Sequence, residues 1–168
     1  KIIEKFGADA VRLFILSDSP PEKDVQWSEE GMNSSYKFIQ KLWVLNHKIL
    51  EKINQNQVSN SNNLIDKITN QFVKDVTDNI NNFTYNKIIA NFHELHSALN
   101  KAIINDIGKE ILVQNYKKIL ITMSPVIPHF ASECLEELGI KDKILWPEIN
   151  KKVLLEKTKK FVVQINGK

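Results

Sequence analysis

Apolar residues recur along most of this chain at the three- and four-residue spacing of an α-helix that buries one side. In residues 1–16, Ile2, Ile3, Phe6, Ala10, Leu13 and Phe14 come close to that spacing, with Gly7 as an interruption or cap. Phe38, Leu42, Leu45 and Ile49 mark one face of a long helix predicted over 29–53. Leu64, Ile68, Phe72, Val76 and Ile80 mark a second, over 64–81. A third carries Ile88, Phe92, Leu95, Leu99 and Ala102, and a fourth Ile111, Leu112, Tyr116, Ile119 and Met123. A short fifth is expected from Pro128, whose fixed φ suits a first turn, to Gly139, a favoured stop.

The breaks agree with that division. Pro20-Pro21 excludes a helix interior and leaves residues 17–24 as a turn or extended linker. Ser28 is a good N-cap, with Glu29 and Glu30 placed to favour the positive helix end. Residues 54–63 are polar and rich in asparagine, which predicts a loop, and Thr84 is placed to cap the third helix. Gly108 lies in the next break, and Pro125 and Pro128 bend or end the fourth helix. Amphipathic helices on short polar connections bury their stripes most simply as a bundle, so the expected fold is an all-α antiparallel helical bundle. Only Phe161, Val163 and Ile165 alternate as a β-strand does, just before Asn166-Gly167, a strong hairpin signal with no returning strand. That ending, and an opening on Lys1 directly in helical pattern, give the expectation of a piece of a longer chain.

Composition narrows the class without naming a function. With 168 residues, 42% hydrophobic and 26% charged, the chain can bury a real core without staples. A single cysteine, Cys134, rules out an internal disulfide framework and fits a reducing compartment. There is no signal-peptide pattern, and no apolar run approaches the roughly 18 residues of a membrane span. Lysine and arginine total 23 against 20 acids, a mild excess that does not by itself indicate nucleic acid. Arg12 is the only arginine, and the abundance of lysine, asparagine and isoleucine reads as the coding bias of an AT-rich genome.

No catalytic set emerges. The glycines are scattered singly, which excludes a glycine-rich phosphate loop. His93 and His96 bracket Glu94 at a spacing that could present two metal ligands, but nothing nearby completes a site, and surface or half-buried polar residues explain them as well. Cys134 and His129 are five apart, too far for one helical turn, so Cys134 reads as packing. Glu133, Glu136 and Glu137 read as a solvated acidic face. The most suggestive feature is on the first long helix. At about 100° per residue, Lys37, Lys41, Lys48 and Lys52 fall within an arc of roughly 60°, interrupted by Val44. Such a stripe can meet phosphates without reading sequence, or it can be a plain solvated face. Trp27, Trp43 and Trp146 are possible stacking platforms. Trp43 lies beside the apolar face and suits the core, while Trp27 and Trp146 sit where they could pin turns.

The order of motifs is more specific than any one of them. Phe6-Gly7-Ala8-Asp9-Ala10-Val11-Arg12-Leu13-Phe14 resembles the segment that follows the KMSKS loop in class I aminoacyl-tRNA synthetases. The run from Ser19-Pro20-Pro21 to Val25-Gln26-Trp27-Ser28 is similar to the leucyl version in particular. Tyr36-Lys37-Phe38-Ile39-Gln40-Lys41-Leu42-Trp43 resembles the first helix of that family's anticodon-binding domain. Ser124-Pro125-Val126-Ile127-Pro128-His129-Phe130, then Glu136-Glu137-Leu138-Gly139 and Trp146-Pro147, resemble its closing helix pair. Val162-Val163-Gln164-Ile165-Asn166-Gly167-Lys168 is similar to the strand that opens the small C-terminal domain of bacterial-type leucyl-tRNA synthetases.

The resemblance covers essentially the whole chain. It implies a connector after the catalytic domain (1–28), a helical anticodon-binding bundle (29–150), and a linker with the first strand of the next domain (151–168). It implies a parent enzyme, cytoplasmic and monomeric, that joins leucine to its tRNA with ATP and magnesium. The catalytic and editing parts would lie upstream, so these residues would hold leucine tRNA and need no cofactor of their own. In bacterial leucyl enzymes the bundle holds the body of the tRNA, and the C-terminal domain addresses the elbow and long variable arm. Lysine stands where the family commonly has arginine on the first bundle helix, which keeps the charge but loses the forked phosphate contact. Asp9 and Arg12 would sit in the connector, placed to pair three apart on a helix, with a structural role. The alternative is a helical protein-interaction bundle with no RNA partner, in which the lysines serve solubility.

Overall fold

In the computed structural model, which describes residues 1–18, 23–55, 63–141 and 144–154, every regular element is a helix. In chain order these are α1 (Ile2–Phe6), α2 (Ala8–Asp18), α3 (Glu29–Asn54), α4 (Asn63–Asn81), α5 (Tyr85–Ala102), α6 (Lys109–Met123), α7 (Pro128–Glu137) and α8 (Lys151–Leu154). The two long helices expected from apolar spacing begin and end within a residue of α3 and α4. The four-residue α8 is too short to leave a periodic signal and stands where a linker was expected. The expected strand at 161–165, the Pro20-Pro21 turn and most of the asparagine-rich loop lie outside the described residues.

Local chemistry sets the helix ends. Gly7, at φ 81, separates α1 from α2. Ser28 caps α3, its Oγ accepting from the Gly31 amide at 3.1 Å. Thr84 does not cap α5 as its position suggested; its hydroxyl donates to Asn79 Oδ1 at 2.7 Å and so serves the end of α4. The turn is too tight for one side chain to serve both helices. The ends of α4 and α7 share one motif. Gly139 N–H donates to Glu136 O and Ile140 N–H to Leu135 O, at 2.8 and 3.0 Å; Phe83 N–H donates to Ile80 O and Thr84 N–H to Asn79 O, at 3.2 and 2.9 Å. Such a cap puts one residue in the left-handed region, normally glycine. Gly139 meets that need at φ 72, whereas at the end of α4 the residue is Phe83, at φ 55.

The apolar stripes meet in one cluster that draws on α2 through α7. α4 and α5 form an antiparallel hairpin in which Phe72 packs on Phe92, ring centroids 5.7 Å apart, and Asn79 Nδ2 donates to Asn91 Oδ1 at 2.8 Å. α4 also packs on α6, where Asn115 Nδ2 reaches Asp66 Oδ1 at 2.7 Å. α2 lies against α3 and α5 and buries Ala10, Leu13 and Phe14 in the same core. Gly31 permits that approach, since a Cβ there would stand 2.8 Å from Phe14 Cε2. Residues 144–150 run over α4, fixed by Trp146 Nε1 to Thr77 Oγ1 at 3.0 Å and by the Asn150 amide to Asn70 Oδ1 at 2.7 Å.

A polar relay, buried at Tyr116 and Asn46 and reaching the surface at Glu137, ties three helices. Tyr116 Oη of α6 donates to Asn46 Oδ1 of α3 at 2.8 Å, and Asn46 Nδ2 donates to Glu137 Oε2 of α7 at 2.6 Å. Satisfied at both ends of the amide, it fixes how the helices are paired and not merely that they are apolar. Glu133, Glu136 and Glu137 are all exposed, as the expected solvated acidic face requires; Glu137 differs only in that one carboxylate oxygen also accepts from buried Asn46. The periodic signal of α7 gives no notice of a polar partner contributed by α3.

Candidate nucleic-acid interface

α3 and α5 run side by side in the same direction. Phe38 lies against His93 with ring centroids 3.8 Å apart, Lys48 Nζ donates to Asn100 Oδ1 at 3.4 Å, and Lys52 Nζ meets Asp106 Oδ1 at 3.4 Å. Between the helices is a groove of ≈ 640 Å³ whose walls include Gln40, Lys41 and Lys48 from α3 and His96, Asn100 and Lys101 from α5. Leu45 belongs to the floor, being buried, and Val44, which interrupts the lysine stripe in sequence, is an exposed part of the wall.

The four stripe lysines have separate fates. Lys41 and Lys48 line the groove, and Lys37 is exposed one turn earlier on α3. Lys52 is turned toward Asp106, its side chain only 14% exposed, so an acid already balances its charge. Lys101, His96 and Asn100 were not expected from the sequence as groove residues. His93, Ser97 and Lys101 follow at four-residue spacing on α5, so a polar row was present to be found. Which polar row faces α3 depends on how the helices pack.

His93 and His96 both stack around Phe38. No group of three or more potential metal-ligating side chains gathers among the described residues. Burial, and then the charge of Lys41, push both imidazoles below their usual range. Both rings are therefore uncharged at neutral pH, and the groove takes its positive charge from lysine.

The connector pair is used differently from the expected Asp9–Arg12 contact. Asp9 instead reaches the first turn of α7, and Arg12 the turn between α6 and α7. Asp9 accepts from Phe130 N–H at 2.7 Å, His129 N–H at 3.4 Å and His129 Nδ1 at 2.9 Å. Arg12 donates to Pro125 O at 2.7 Å and to Val126 O at 2.9 Å. Three residues of spacing allow a pair on one helix, but free backbone groups on a packed neighbour are stronger competitors.

The tryptophans hold packing positions. Trp43 meets Phe130 edge-to-face at 4.8 Å, Trp27 meets Phe14 at 5.5 Å, and Trp146 is bonded to Thr77. Cys134 is fully buried, and burial, then Glu137, pushes its thiol up to about 12. Alkylation of Cys134 by iodoacetamide at pH 8 is therefore expected to be roughly a thousandfold slower in the native chain than in urea. Comparable rates in the two conditions would show the thiol to be accessible and ionisable.

Fold and groove together define an all-α bundle domain with a lysine-lined cleft between two parallel helices. Residues 62–168 match the family model described as the anticodon-binding domain of tRNA ligase, and the chain belongs to that family. Among its relatives, a leucine–tRNA ligase of Fusobacterium nucleatum is 36% identical over 183 aligned positions, covering 100% of this chain and 21% of that protein. One from Ehrlichia canis is 31% identical, covering 99% of this chain and 21% of that protein. The chain thus spans about a fifth of the length of these relatives. The crystal structure of the ternary complex of Agrobacterium radiobacter K84 agnB2 LeuRS-tRNA-LeuAMS matches with a TM-score of 0.77 at 18% identity, covering 92% of this chain and 21% of that one; the likeness is one of fold. No described helix is long and apolar enough to cross a membrane.

Proposed function

We propose that the chain is the tRNA-holding part of a leucine–tRNA ligase, with Lys37, Lys41, Lys48 and Lys101 meeting tRNA phosphates along the α3–α5 groove and Lys52 in a lesser role because of Asp106. The observation that carries this reading is the lysine-lined groove in a chain of the anticodon-binding family. In the whole enzyme, other parts of the same polypeptide activate leucine with ATP and magnesium and transfer it, while these helices hold the tRNA body. Residues 1–28 join the catalytic domain to the bundle at 29–150, and residues 151–168 lead into the next domain. The enzyme works as a cytoplasmic monomer. Lysine ammonium groups act here as point charges, so the groove positions an RNA backbone and leaves base recognition to other contacts.

Changing Lys37, Lys41, Lys48 and Lys101 together to glutamate is expected to weaken binding of a leucine-accepting tRNA transcript by roughly a hundredfold at low salt. The slope of log affinity against log salt should flatten by about 0.7–0.9 for each phosphate that is no longer neutralised. Unchanged affinity and slope would remove these residues from the interface.

A further inference from the structure

We propose that Phe83, at the tip of the α4–α5 hairpin, is a stacking platform for an unpaired base of the bound RNA. The inference deepens the tRNA-holding reading and rests on it. Two independent observations point to this residue. It is the only non-glycine with positive φ among the described residues, at 55°. The residue is also 64% exposed, so burial does not explain a bulky side chain in that conformation.

The cap itself has no need of the ring. The same hydrogen bonds close α7 with Gly139 in the corresponding place. The apolar contact that accompanies such caps joins the residue after the left-handed position to the last helical turn, and leaves the left-handed residue out. A phenylalanine here gives up backbone ease and keeps an aromatic face in water. Strain held at an exposed side chain points to use of that side chain.

The surroundings favour a base over a protein partner. Asn81, Asn82 and Lys87, around the tip, are polar. They offer amide and ammonium donors to a nucleotide. Tyr85 meets Phe83 edge-on, ring centroids 6.0 Å apart and planes at 73°, which braces the ring without the two faces stacking on each other. α5 runs from the tip to the groove, with Lys101 near its far end, about 24 Å along the helix.

The test uses the 168-residue chain and a leucine-accepting tRNA transcript. F83G is expected to melt about 2–4 °C higher, because glycine relieves the left-handed strain. Its affinity for the transcript should nevertheless fall by roughly fivefold to a hundredfold, with the salt slope unchanged. F83W should keep wild-type affinity, and F83L should bind as weakly as F83G. Wild-type affinity in F83G would overturn the proposal, as would full binding by F83L, which has an apolar surface but no ring. A lower melting temperature in F83G would also overturn it, by making the ring structural. If F83G binds normally while the lysine reversals abolish salt-dependent binding, the platform falls and the tRNA-holding reading stands. If the wild-type chain does not bind the transcript at low salt, both fall.

Discussion

Phe92→Ala is expected to cost about 3–5 kcal/mol of unfolding free energy, a large share of the total for a domain of this size. Phe92 is completely buried and packs on Phe72 across the hairpin, and α2 also rests on α5. Alanine leaves a void that three helices would have to close together, and close-packed interiors relax only in part. Phe92→Leu, which keeps most of the volume, should cost about half as much or less. Urea unfolding of the two variants measures the difference. A loss below about 1 kcal/mol for the alanine variant would mean that the α4–α5–α2 junction is not tightly packed. Because α5 carries His96, Asn100 and Lys101, the same variant should also loosen one wall of the groove.

The second large effect is at Asp9. α7 has no side-chain cap of its own, since Ile127 stands at the capping position. Asp9 supplies that cap from α2, accepting the Phe130 amide at 2.7 Å while itself only 7% exposed. A buried carboxylate at the positive end of a helix, with two backbone N–H groups and one imidazole directed at it, does more than an ordinary surface cap. Asp9→Ala should therefore destabilise by about 2–4 kcal/mol, beyond the usual cap range, because it leaves buried donors unpaired. Asp9→Asn retains one accepting oxygen and should fall between alanine and wild type. Urea unfolding gives the total, and hydrogen exchange at the amides of Phe130 and Ala131 locates it. An alanine variant within about 0.5 kcal/mol of wild type would make the contact incidental.

Local rules governed much of this molecule, and those parts were legible from residues 1–141. Three- and four-residue apolar spacing specifies a helix through contacts made within a turn or two, so α3 and α4 could be bounded closely without knowing what they touch. Ser28, Gly139 and Pro128 act within a few residues of themselves and were equally readable. Thr84 marks the limit of such reasoning, because a threonine between two helices can serve either. The lysine stripe of α3 was visible too, and so was the family, which follows from the order of several short motifs.

Other properties depend on which surfaces meet. Lys101 became a wall of the groove, and Lys52 a partner of Asp106, only when α5 was laid parallel to α3. The spacing of Asp9 and Arg12 allows a pair on one turn, yet their partners lie more than a hundred residues away, in the first turn of α7 and in the α6–α7 turn. Glu137 looks like any exposed acid until Asn46 is placed beside it. By itself the sequence determined the longer helices, most of their buried faces (though not Leu64, Ile2 or Ile3, which are exposed) and the family, because those depend on short-range periodicity and motif order. The tertiary structure alone decided which charges converge, which are neutralised and which polar groups cap a distant helix. Side-chain partners across a packing interface leave no periodic trace in the chain that carries them.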